Sequence, residues 1–170
     1  MSTEIREKLE QLGSKSRFKF SGKFIKYGFK YSDHNKTHAA PTILLGDIKL
    51  IVIDDEIVMT DHLWFNLTKG FKSLGILTEN DIVSFYGRIT NYTKGYQGIR
   101  PGINKPIHTD YKIERPSKVK LELDHDLEKA KHFKEWPDTN WKLCNMIYDM
   151  YLADYRKRGI LKPYSDTYFA

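Results

Sequence analysis

A mainly β fold is predicted for this chain: five strands rolled into a small barrel, a short helix between the third and fourth strands, and helices at the N- and C-terminal ends. Three observations predict it. Runs rich in Val, Ile, Phe, Tyr and Thr, many of them alternating, recur five times between residues 16 and 123, the pattern of half-buried strands. The period turns helical once inside that span, at residues 66–75, and again on both flanks. The first strand changes the parity of its apolar residues around a glycine, and such a bend lets one strand serve two sides of a barrel. The predicted organisation is an N-terminal helix over 1–14, the barrel over 15–123 and a helical C-terminal extension over 124–170.

In the N-terminal segment Ile5, Leu9 and Leu12 recur at i, i+4 and i+7, one apolar stripe ended by Gly13. The first strand is SRFKFSGKFIKYGFKY. Its Phe18, Phe20 and Phe24 share even parity, Ile25, Tyr27, Phe29 and Tyr31 odd parity, and Gly22 is the expected bulge. A polar loop, SDHNKTHAAP, leads to the second strand, TILLGDIKLIVID. Asp54-Asp55 makes a tight turn into the third, EIVMTDHLWF. In NLTKGFKSLG the residues Leu67, Phe71 and Leu74 recur at helical spacing, closed by Gly75. The fourth strand, ENDIVSFYGRITNY, carries Val83, Phe85, Gly87 and Ile89 on one face and Tyr86, Arg88, Thr90 and Tyr92 on the other. A long loop, TKGYQGIRPGINKPIHT, precedes the fifth strand, DYKIERPSKVKLEL, in which Pro116 marks an edge or a break. Beyond residue 124 a short helix is expected in DHDLEKAKHFKEW, then a break with capping residues at Pro137-Asp138-Thr139. A final helix runs from Asn140 to Arg158, with Leu143, Ile147, Met150 and Tyr151 as its stripe and Gly159 as its stop.

Composition excludes several classes. At 170 residues, 40% hydrophobic and 29% charged, the chain suits one domain with an appendage and not a disordered polymer. No apolar run approaches the ~20 residues of a membrane-spanning helix. The charged N-terminus lacks a signal-peptide pattern, so a cytoplasmic protein is expected. One cysteine, Cys144, excludes an intramolecular disulfide and a cysteine-based zinc site. His34 and His38 have i, i+4 spacing but sit in a polar loop with no third ligand in view. Asp61 and His62 are neighbours on a strand and face opposite sides, so they cannot act as a dyad. There is no phosphate-binding glycine loop, nucleophile elbow or paired-carboxylate motif. The expectation is therefore no catalytic residue, no metal and no cofactor.

Charge is informative through its distribution. The net +6 comes from two basic segments, residues 15–49 and 86–120, each at +6, around an acidic one at −4 over residues 50–85. Brought together, the basic segments would line a groove for a polyanion; apart, they are solvated surface. Aromatics at 14% exceed what packing alone requires.

The string GILTENDIVSFYGRITNYTKGY resembles the fourth-strand region of OB-fold nucleic-acid-binding domains: an acidic turn, an apolar strand, then an Arg, an aromatic and a glycine-bearing basic loop. GKFIKYGFKY likewise resembles a first OB strand. The resemblance covers about residues 16–122 at the level of fold. It implies a five-stranded OB-type barrel whose second and third strands, with the loops joining strands 1–2 and 4–5, face the ligand.

Both of those loops are basic and aromatic here. Around the first stand Lys26, Tyr27, Lys30, Tyr31 and Lys36, and around the second Arg88, Tyr92, Lys94, Tyr96, Arg100 and Lys105. Lysine and arginine pair with phosphates, and aromatic rings stack on bases whatever the sequence. Tyr86 shares a face with Arg88 and meets either ligand or solvent. Trp64 is either a stacking platform or a core anchor. Phe18, Phe20, Phe24 and Phe85 are core residues. The function these features imply is binding of single-stranded DNA, RNA being the variant, without catalysis. Replication, recombination or repair is the setting, a mobile element one source. OB folds also bind proteins, so the alternative is an adaptor or inhibitor acting through its aromatic face or C-terminal helix. That helix either packs on the barrel or docks a replication protein or a second copy.

Overall fold

The computed structural model describes residues 3–94, 108–122 and 134–165. In chain order the elements are α1 (Thr3–Leu12), β1 (Arg17–Tyr31), β2 (Ala39–Val52), β3 (Asp55–Asn66), α2 (Lys69–Lys72), β4 (Ile82–Lys94), β5 (His108–Glu122), α3 (Asn140–Met150) and α4 (Leu152–Lys157). The five strands form one antiparallel sheet in the order β3-β2-β1-β4-β5. The sheet does not close into a barrel, because β3 and β5 are its two edges and do not pair with each other.

The sheet is nevertheless strongly coiled. β3 and β4 stand three places apart in the ladder, which in a flat sheet would separate them by about 14 Å. Yet the Phe65 and Phe85 rings meet with centroids 5.3 Å apart, edge to face. Phe71 of α2 joins them at 5.8 and 6.2 Å. One hydrophobic core therefore fills the inner face, with Phe20, Ile43, Ile48, Val83 and Phe85 fully buried. α1 contacts both open edges. Its Leu9 is buried in the core, Lys8 Nζ donates to the Val58 carbonyl of β3 (3.3 Å), and Glu10 hydrogen-bonds the Tyr111 hydroxyl of β5.

The bend in β1 has two parts. Its register against β2 shifts at Gly22, as the sequence predicts, and again between Phe24 and Lys26. Phe20, Gly22 and Phe24 all stay inside, so the change of side happens at the second shift, where Ile25 turns outward. Gly22 is required by close approach: a Cβ there would lie 2.9 Å from Ile48 Cδ1 and 3.0 Å from Leu45 Cβ.

The C-terminal region is stitched to the sheet. β4 pairs with β1 only as far as Lys23, and the exposed edge beyond it needs partners. The Tyr27 N–H donates to the Tyr151 hydroxyl (3.0 Å). Ala39 N–H donates to the Tyr164 hydroxyl (2.9 Å), and Asn140 Nδ2 donates to the Ala39 carbonyl (2.8 Å). The predicted single helix breaks at Tyr151 (φ −120, ψ 32), the residue that caps the β1 edge. Thr139 is the N-cap of α3, although its side chain makes no capping bond. Leu143 and Ile147 are buried against the sheet, whereas Met150 of the same stripe is 37% exposed. Most of the helix predicted over 124–136 lies outside the described residues, and Lys134 to Pro137 are not helical. Among the described residues no helix is long and apolar enough to cross a membrane.

Candidate nucleic-acid interface

Strand alternation decides the orientation of Trp64. Leu63 and Phe65 point inward and are buried, so Trp64 faces out, 46% exposed. Its indole reaches past β2 to β1 and lies over Gly28: a Cβ on Gly28 would sit 3.1 Å from Cη2 and 3.2 Å from Cζ3. Glycine at 28 thus makes the seat for the ring. Lys26, on the same face, holds its ammonium 6.0 Å from the ring centroid, within the range of a cation–π contact. An exposed indole with a cation beside it is equipped to stack on a planar base next to a phosphate.

Two clefts meet at this ring. The first, about 780 Å³, runs from Trp64 and Lys26 along Tyr31 and Lys36 to Arg158 and Lys162 after α4. Among the described residues its cations outnumber the one carboxylate on its walls, Asp154. Lys36 lies 5.8 Å from the Tyr31 ring. The loop carrying Lys36 is fixed by Asp33, whose carboxylate accepts from the Thr37 hydroxyl and from the N–H groups of Thr37 and His38. Those bonds hold its carboxyl below the ordinary range. Burial raises the phenols of Tyr31 and Tyr155 above theirs, and the Tyr155 ring is itself buried, stacked on Tyr148 at 5.1 Å.

The second cleft, about 620 Å³, opens between the edge strands. Trp64 and Asn66 of β3 face Lys112, Ile113 and Arg115 of β5, with Lys30 alongside. Pro116 marks the predicted break, where the β4–β5 register slips on both sides of Tyr86. Arg115 (φ 51) and Lys118 (φ 50) adopt left-handed backbone there, a conformation disfavoured for residues with a Cβ. Arg17 clamps this bulge, its guanidinium donating to the Tyr86 carbonyl (3.0 Å), the Ser117 hydroxyl (2.8 Å) and the Arg115 carbonyl.

Of the sequence-predicted residues, the structure gathers Lys26, Tyr31, Lys36 and Trp64 in the first cleft and Lys30 with Trp64 in the second. Tyr27 is a correction. It is 1% exposed, packs against Phe24 and Trp136 at 4.5 and 4.6 Å, and its hydroxyl accepts from the Leu77 N–H. Although Tyr27 borders the first cleft, its ring is covered by the C-terminal region and belongs to the core. Arg88 is bound to Glu114 (2.7 Å) and reaches the second cleft only through that partner. Tyr86 lies under Lys118 at 5.3 Å and Tyr92 under Lys112 at 5.4 Å, and neither lines a cleft. The Lys94 side chain, Tyr96, Arg100 and Lys105 lie outside the described residues. Lys112, Arg115, Arg158 and Lys162 are cleft residues that sequence reasoning missed. The run Arg156-Lys157-Arg158 was the available signal, masked by a segment whose net charge is near zero. Compared with known proteins, the chain matches no family model, no curated protein and no solved structure.

Proposed function

We propose that this chain is a non-catalytic OB-type module that binds single-stranded nucleic acid, DNA foremost, across the outer face that carries Trp64. The observation that carries this reading is the exposed indole seated over Gly28, with Lys26 beside it and a cation-lined cleft on either flank. The indole packs on Gly28 yet stays 46% exposed, and a stacked base would cover the part that is left open. The strand order supports the finer fold reading, since OB barrels are partly open and bind oligonucleotides on strands two and three. Here the open seam falls between β3 and β5 and forms the second cleft. A module of this kind serves replication, recombination or repair by holding exposed strands for other proteins.

The test is a fluorescence anisotropy titration with labelled oligo-dT at several salt concentrations. Saturable binding is expected, with log K falling by roughly 0.7 per phosphate contacted for each unit of log salt. Trp64→Ala should weaken it by about 5- to 150-fold, the loss of one stacked base at ~1–3 kcal/mol, with an unchanged circular dichroism spectrum. Absence of saturable, salt-sensitive binding by the wild type would remove the reading.

A further inference from the structure

We infer that the segment from Tyr155 to Lys162 is the second wall of the same groove, with Arg158 and Lys162 as phosphate contacts, so that the bound strand runs from the second cleft over Trp64 into the first. The inference rests on the single-strand reading above. Three observations carry it. Both cations line the cleft that Trp64 and Lys26 close from the other side, so a base stacked on the indole has positive charge on both sides of it. Among the described residues Arg158 pairs with Asp154 (3.3 Å) and Lys162 with Asp149 (3.2 Å); Arg158 and both carboxylates are more than half exposed, and Lys162 is 27% exposed. The Arg158 pair is solvent-exposed, and such a pair stabilises a fold little and leaves the guanidinium open to a stronger anion. The segment is also held in shape. Ile160 N–H donates to the Tyr155 carbonyl (2.9 Å), Tyr148 Oη donates to the Ile160 carbonyl (2.7 Å), and Tyr164 N–H donates to Asn145 Oδ1 (3.1 Å). Its cations are therefore mounted before a ligand arrives, which lowers the entropy cost of binding.

The two clefts share Trp64, and each falls within the ~300–1,000 Å³ that small organic ligands occupy. One or two nucleotides on each side of the indole give a footprint of about four, the short end of the OB range.

The experiment compares wild type, Arg158→Ala/Lys162→Ala, and Lys157→Ala, which removes a charge from the adjoining end of α4, a residue that does not line the cleft. Each is titrated with an oligo-dT length series at several salt concentrations. The double variant should lose about 1.4 from the magnitude of the salt slope, two contacts at 0.7 each, and its affinity should stop rising at a shorter oligomer. Lys157→Ala should match wild type in both. Arg158→Lys should restore the slope, which a purely structural role would not require. Equal slopes and equal length dependence in the double variant and Lys157→Ala, with Trp64→Ala still weakened, would overturn the second wall and leave the Trp64 site standing. No salt-sensitive binding by the wild type would overturn both.

Discussion

Two glycines in this sheet meet neighbours at similar distances, yet alanine should be tolerated at only one of them. A Cβ on Gly87 would lie 2.3 Å from Ile113 Cγ2, and one on Gly46 would lie 2.6 Å from Ile25 Cδ1. The difference is what must move. Ile113 is buried, and its Cγ2 is fixed to a branched Cβ on the wall of the second cleft. Overpacking at such a site costs ~1–3 kcal/mol, offset by ~0.4–1 kcal/mol from the stiffer unfolded chain. The net loss is about 1–2 kcal/mol, and at 2–4 °C per kcal/mol for a chain this size Tm falls by about 2–8 °C. Ile25 is 42% exposed, and its terminal methyl can swing into solvent. Gly46→Ala should therefore change stability by no more than about 0.5 kcal/mol. Thermal unfolding followed by circular dichroism compares the two. Equal losses, or a larger loss for Gly46→Ala, would refute the argument. Gly87→Ala should also weaken oligonucleotide binding, because Ile113 is pushed toward the cleft, while Gly46→Ala should not.

Burial raises the phenols of Tyr27, Tyr151 and Tyr155 above the ordinary value of 10.0. The fold thus favours their neutral forms, a contribution complete below pH 10 and lost as pH rises through the raised values. The urea midpoint should hold up to about pH 10 and then fall; a flat profile through pH 11 would contradict this. Cys144 is fully buried, and burial pushes its thiol to about 11. It should resist a thiol reagent at pH 8 in the native protein and react in full in guanidinium, whereas rapid native reaction would show that α3 opens freely.

The strands were legible because their apolar residues repeat at short period and their boundaries fall at polar turns. Gly22 announced a bulge, but the side switch at Ile25 was hidden, since an outward isoleucine looks like one more core residue. The KYGFKY run reads as a binding motif until the C-terminal region is in place. Its Tyr27 lies under Trp136 and its backbone is capped by Tyr151, contacts more than 100 residues away in sequence. Trp64 was ambiguous because strand alternation gives two faces without saying which is inside. Leu63 and Phe65 settle that only once β3 packs against β4. The cations of the C-terminal segment escaped notice for the same reason: charge counted along the chain averages over residues that folding separates.

The most direct measurement follows the indole protons by NMR during addition of oligo-dT of about ten nucleotides. Of the three tryptophans, Trp136 donates its N–H to the Gly75 carbonyl and should hold its shift. The Trp64 signal, assigned by its loss in Trp64→Phe, should move upfield and saturate at the affinity that anisotropy gives. An oligonucleotide that binds while the Trp64 signal stays still, or that does not bind at all, would contradict the account.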